Sequence, residues 1–141
     1  MLKHIPTVAG ALLGLAFLFA SLAFFLNLFP EQEPPPPGSP ADHFMTAIAP
    51  TGYLSFIKVF ELLGAVLVAI PLTRRAGLVI LCPIIINIVA FHVFVMDGVG
   101  LTQPMLVGIV VLAVYLLFVE RAALFGLIGK RPQARAKKAD A

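Results

Sequence analysis

The sequence predicts an all-α protein, an integral membrane four-helix bundle, and three observations carry that expectation. Of its 141 residues 60% are hydrophobic and only 12% charged, where ordinary soluble domains carry about 25% charged residues. Four runs have the length of about 20 predominantly apolar residues that a spanning helix needs; they lie at roughly 6–29, 53–72, 76–96 and 101–119. These runs are continuously apolar rather than alternating, which excludes a transmembrane barrel. The mean hydropathy of +1.02 agrees. Short connections make residues 1–129 one transmembrane domain, followed by a basic tail at 130–141.

The first run follows a basic start, Met1 to His4, and carries Ser21 and Ala23, which would suit a leader-peptide cleavage site. Its apolar stretch exceeds the roughly 7–15 residues of a signal core and continues through Phe24, Phe25 and Leu26, so it is read as a span. The connection at 30–52 holds Pro34 to Pro37, which favour an extended polyproline spacer. Beyond it, Asp42 is placed to cap a short interfacial helix with Phe44, Met45 and Ile48 on one side, ending before Pro50. Such a helix can form a lid over one end of the bundle. The second and third spans are joined only by the short Arg74-Arg75 link, which makes them antiparallel neighbours.

Cations set the expected orientation, because cytoplasmic flanks retain Lys and Arg. Lys3, Arg74, Arg75, Arg121, Lys130, Arg131, Arg135, Lys137 and Lys138 fall on one side of a four-span chain, nine of the ten cations. The other two connections hold Glu31, Glu33, Asp42 and Asp97 and no cation. Both termini are therefore expected to be cytoplasmic. The net charge of +3 resides in the tail, whose expected partner is anionic lipid headgroups. No aromatic interleaving or recognition fold supports a nucleic-acid partner.

The tenth cation, Lys58, lies with Glu61 inside the second span. A charge near the middle of a spanning helix costs about 2.5–3.5 kcal/mol on insertion scales, so each needs a partner or a task. At 1.5 Å per residue, Lys58 lies about 7 Å and Glu61 about 12 Å from the outer end of their span. In the antiparallel third span His92 lies about 6 Å and Asn87 about 13 Å from that same end. Lys58, Glu61, Asn87 and His92 thus form two polar layers, with Asn27 and Gln103 near the same rim. Lys58 and Glu61 are about 60° apart on the helix and can pair, whereas Asn87 and His92 are about 140° apart and share a pocket only if the helix is perturbed. Pro83, which frees the carbonyl of Val79, offers such a perturbation, and Gly64 allows close helix approach. The four residues are candidates either for interhelical hydrogen bonding alone or for a ligand or proton site opening outward.

Other chemistries lack their residues. One His and one Glu fall short of the three or four ligands of a metal site. Cys82 is the sole cysteine, so no dithiol relay exists within the chain. No glycine-rich phosphate loop and no zinc-protease or serine-hydrolase motif occurs. No catalytic residue or resident cofactor is indicated, and an isolated chain of this kind is not expected to be an enzyme.

The stretch TGYLSFIKVFELLGAVLVAIP, with Lys58, Glu61 and Gly64, and the stretch LVILCPIIINIVAFHVF, with Pro83, Asn87, Phe91 and His92, together resemble the DoxX-like family of small bacterial membrane proteins. The resemblance covers about residues 41–118. It implies a four-helix protein of the bacterial plasma membrane and a connection with quinone-linked or oxidative-stress redox systems, without settled catalytic residues. The proline-rich connection departs from the family's short loop and leaves room for a membrane or extracytoplasmic protein partner. The expected function is an auxiliary subunit of a membrane redox system. Its outward-facing polar pocket would bind a quinone headgroup or small polar molecule through Lys58 and His92 as donors and Glu61 as acceptor. The alternatives are a scaffold or assembly protein whose polar cluster only joins helices, and a small transporter. Transport would need alternating access, and no internal repeat is evident.

Overall fold

The computed structural model describes residues 4–28 and 34–129. All regular elements among them are helical: α1 (Ile5–Phe25), α2 (Pro40–Ile48), a 3-10 turn (Ala49–Thr51), α3 (Tyr53–Ala69), α4 (Arg74–Ala90) continued by a π-helical segment (Phe91–Val95), and α5 (Pro104–Gly129). Lys3, Glu31, Glu33 and the tail at 130–141 lie outside the described residues.

Each boundary has a local cause. Helix α1 ends four residues earlier than its apolar run because Asn27 turns left-handed, with φ 51°. Leu28 N–H then donates to the Ala23 carbonyl at 2.9 Å and Asn27 N–H to Phe24 at 3.4 Å, the paired bonds of a Schellman cap. Helix α2 begins at Pro40, two residues before its expected start, and its cap is Ser39 rather than Asp42: Ser39 Oγ accepts from Asp42 N–H at 3.2 Å. The Asp42 carboxylate instead reaches back to Gly38 N–H at 2.8 Å. The proline run ends in a turn closed by Ser39 N–H on the Pro36 carbonyl at 3.0 Å.

Helix α3 stops at Ala69, short of Leu72, because Pro71 drives the preceding Ile70 into extended backbone (φ −88°, ψ 121°). Its 17 residues span about 25 Å at 1.5 Å each, somewhat less than the roughly 30 Å of a bilayer core. Gly98 and Gly100, both at positive φ, carry the chain through turns to Pro104, so α5 starts later than 101. It then runs past Val119 to Gly129.

The long helices pack α1 on α3, α3 on α4, α4 on α5 and α5 on α1. Leu13, Phe17, Val68, Leu78, Leu81 and Leu116 are fully enclosed at their centre. Small residues set the spacing: a Cβ added at Gly64 would lie 2.7 Å from Leu81 Cδ2, and one at Gly77 would overlap the Val68 backbone. Lipid tails are as apolar as the side chains, so membrane helices associate through the van der Waals contact that such close approach provides.

Outside this narrow core the helices are apolar and bare. Ile86 is 70% exposed, Phe94 82%, and Val79, Val111 and Phe118 are similarly open. Helix α1, α4 with its π-helical continuation, and α5 are each long and apolar enough to cross a membrane. Helix α3 makes a fourth when counted with α2, from which it is bent by 80°. Such large open apolar faces suit hydrocarbon surroundings and are compatible with a multi-pass membrane protein.

At one end of the bundle, Glu120 of α5 holds both arginines of the α3–α4 link: Arg75 Nε at 3.0 Å and Arg74 Nη1 at 3.7 Å. Arg74 is only 4% exposed, and its Nε and Nη2 are buried without a hydrogen-bond partner among the described residues. The sequence places both arginines in the short link between the second and third spans. Because α3 stops early, they instead form the first turn of α4, and Arg74 turns inward against Gly10.

Candidate binding site

At the opposite end of α3 and α4 the helices separate around a cavity of about 390 Å³. Lys58, Glu61, Asn87 and His92 all line it. The four polar residues that lie level with one another by helix depth therefore do share one space.

Glu61 is the most enclosed of them, 2% exposed. Lys58, one turn earlier, donates to its Oε2 at 2.7 Å, and Ser21 Oγ of α1 donates to the same oxygen at 3.3 Å. Oε1 makes no hydrogen bond among the described residues. Lys58 keeps 24% of its side chain exposed, so the pair has a sealed anion and a cation at the cavity edge. Ser21 is fully buried, a member of the cluster that the sequence presents only as a residue of a cleavage site. Depth is the signal that could have found it: a hydroxyl four residues from the end of an apolar helix, facing the span that carries the charges.

His92 enters by a backbone irregularity other than the expected one. Pro83 does sit inside α4, but the altered turn is the π-helical segment, where Met96 N–H donates to the Phe91 carbonyl five residues back at 3.0 Å. A π turn is wider than an α turn, and it begins at Phe91, between Asn87 on regular α4 and His92. The Ile88 carbonyl, which also accepts from the Phe91 N–H, meets His92 Nδ1 at 2.8 Å. A carbonyl only accepts, so Nδ1 carries a proton and Nε2 is the ring nitrogen left for another partner. Gly100, at φ 85°, lies against this ring: a Cβ there would be 3.0 Å from His92 Cδ2 and 3.4 Å from Gln103 Nε2. Gln103 thus adjoins His92 without lining the cavity, and Asn27 is occupied as the α1 cap. Asn87 is exposed, and its amide makes no hydrogen bond among the described residues.

The remaining walls correct the expectation of a polar pocket. Eleven of the sixteen lining residues are apolar, because α2 folds over the opening and contributes Phe44, Met45 and Ile48. Phe44 packs on Phe91 with ring centroids 5.3 Å apart. The chain passes from α2 to α3 through Gly52 at φ 75°, where added side-chain volume would meet nothing within 4 Å. The site is an apolar chamber with a polar floor and a helical cover. Among the described residues no group of three or more His, Cys, Asp or Glu side chains is placed to hold a metal ion.

No family model and no solved structure matches the chain. It is similar to the uncharacterized protein YwoB of Bacillus subtilis (strain 168), 30% identical over 135 residues that cover 92% of this chain and 86% of that protein.

Proposed function

The chain belongs to the same family as YwoB, and from that premise we propose that it is a DoxX-like auxiliary subunit of a membrane redox system which binds a ligand in the chamber between α2, α3 and α4. In this reading all four long helices cross the bacterial plasma membrane and both termini are cytoplasmic. The chamber then opens at the outer face, and a quinone headgroup is the ligand suggested by the resemblance. One observation carries the reading: every ionisable or amide side chain in the outer halves of α3 and α4 lines one cavity of about 390 Å³, within the roughly 300–1,000 Å³ of small-molecule sites. Polar groups kept inside a membrane at such cost default to a task.

A second reading has its own support. Glu61 joins α3 to α1 through Ser21, as expected of a scaffold whose polar residues fix helix register. Gentle purification from the native membrane, lipid extraction for quinone and mass spectrometry of co-purifying proteins separates the two. A quinone retained by the wild type and lost in Glu61→Gln or His92→Ala supports the binding subunit. A stoichiometric partner without ligand supports the scaffold, as does a loss of stability alone in both variants.

A further inference from the structure

We infer that the chamber takes an uncharged, lipid-soluble amphiphile with a hydroxyl head, alcoholic or phenolic, rather than a small polar molecule or an ion. This rests on the reading of the cavity as a ligand site and narrows its chemistry.

The floor determines the head. Lys58 and Glu61 neutralise each other across 2.7 Å, so the pair adds no net charge to the floor. A carboxylate or phosphate bound at Lys58, or an ammonium bound at the open Oε1 of Glu61, would add one unbalanced charge to a pair that already neutralises itself. Either leaves a charge uncompensated in a low-dielectric space, a steep cost. Beyond that balanced pair, the floor leaves open the hydrogen-bonding capacity of His92 and Asn87. His92 Nε2 is left open because Nδ1 is committed to Ile88, and the Asn87 amide both donates and accepts. A hydroxyl, one donor with two acceptor lone pairs, matches that pair.

The walls determine the body and its route. Phe44, Met45 and Ile48 above, with Ile84 and Ile88 beside, present hydrocarbon. Two lining residues are also open to the outside, Tyr53 at 50% and Phe94 at 82%. The cavity wall therefore runs without a break into the lipid-facing surface of α3 and α4, so a ligand enters sideways from the membrane. Helix α2 covers the end that faces water.

The chain contains no tryptophan, which permits a direct test. The full-length Ile48→Trp protein in phosphatidylcholine nanodiscs is titrated with dodecanol, dodecanoate, dodecyltrimethylammonium or dodecane, each brominated at the chain end to quench the indole. Val107→Trp, exposed on α5 outside the cavity lining, serves as the control that records simple partitioning. The alcohol is expected to quench the cavity reporter saturably and more strongly than the Val107→Trp control, while the two ions quench both proteins alike. Adding Ala90→Phe, which fills the chamber, abolishes the saturable part. Adding His92→Ala weakens half-saturation about three- to tenfold, the loss of one or two neutral hydrogen bonds. Should the filled variant fail to fold, the His92→Ala shift in a protein of unchanged helicity decides. Preference for either ion, or for dodecane equally with dodecanol, overturns the hydroxyl class while leaving a ligand site. If no probe quenches the cavity reporter more than the Val107→Trp control, both this inference and the ligand-site reading fall.

Discussion

Replacing Glu61 by leucine tests whether the ion pair is a coupled unit. The change removes the acceptor of both Lys58 Nζ at 2.7 Å and Ser21 Oγ at 3.3 Å. Breaking a buried pair from one side typically costs about 3–5 kcal/mol, because the remaining charge is stranded. Lys58 is a partial exception: 24% of its side chain is exposed, and from about 7 Å below the helix end its ammonium can extend toward the interface. The Ser21 hydroxyl has a local alternative in the carbonyl one turn back. These reduce the expected loss to about 2–3 kcal/mol. The double variant Lys58→Met/Glu61→Leu strands nothing and replaces two charges by well-packed hydrocarbon, so it should lie within about 1 kcal/mol of wild type. Reversible unfolding in mixed micelles, followed by circular dichroism as denaturing detergent is titrated in, yields both values and their coupling. A double variant as unstable as the two single variants summed would refute the coupling. A Glu61→Leu loss under about 0.5 kcal/mol, the size of an ordinary surface change, would mean that the pair holds nothing.

Two further outcomes follow from the packing. In a Cys82→Ala background, a cysteine at Pro36 should react with an impermeant thiol reagent added outside the cell, and one at Arg75 should not. Arg75 is the informative inner position because Arg74 is buried and would stay silent from either side; the opposite labelling pattern would invert the proposed topology. Alanine at three helical glycines should rank by what the new methyl meets. Gly77→Ala strikes the Val68 backbone and should cost about 1–3 kcal/mol, Gly64→Ala displaces only the Leu81 side-chain end and should cost less, and Gly108→Ala meets nothing within 4 Å and should be neutral or stabilising by up to about 1 kcal/mol. An unfolding series in the same micelles that placed Gly108 above Gly77 would contradict the helix contacts described.

The helical architecture was legible because hydrophobic length is a one-dimensional property, and so was the shared depth of Lys58, Glu61, Asn87 and His92, since a helix converts residue count directly into height. Angular position was not legible to the same degree. The sequence offers Pro83 as the obvious irregularity, yet the turn that brings in His92 is π-helical and carries no proline or glycine. What accompanies it is tertiary and invisible to residue pattern: Phe91 packs on Phe44 of α2, and Gly100 lies against His92. Burial of Arg74 was hidden for a related reason. Charge patterning treats a connection as solvated, and only the early stop at Ile70, imposed by Pro71, converts that connection into the inward first turn of α4. The apolar cover was half visible: α2 was expected as an amphipathic lid, but residue pattern alone does not reveal that its Phe44, Met45 and Ile48 join other apolar walls to outnumber the polar floor they face.

Helix joining and ligand binding compete as explanations of the polar cluster, and its hydrogen-bond inventory separates them. Joining uses one oxygen: Glu61 Oε2 accepts both from its own helix and from α1. His92 Nδ1 is likewise spent, but on its own helix, where it fixes the ring without linking neighbours. That leaves Glu61 Oε1, the whole Asn87 amide and His92 Nε2 without a protein partner among the described residues. None of them is sealed in, since the buried, unpartnered side-chain atoms there belong to Arg74 at the far end. Polar groups inside a membrane must be satisfied by something, and those facing a cavity are satisfied by its contents. A cluster selected only to hold helices together would close its bonds across the interfaces, as Ser21 does. Here the unfilled capacity of three side chains converges on one chamber, and water or a ligand must complete it.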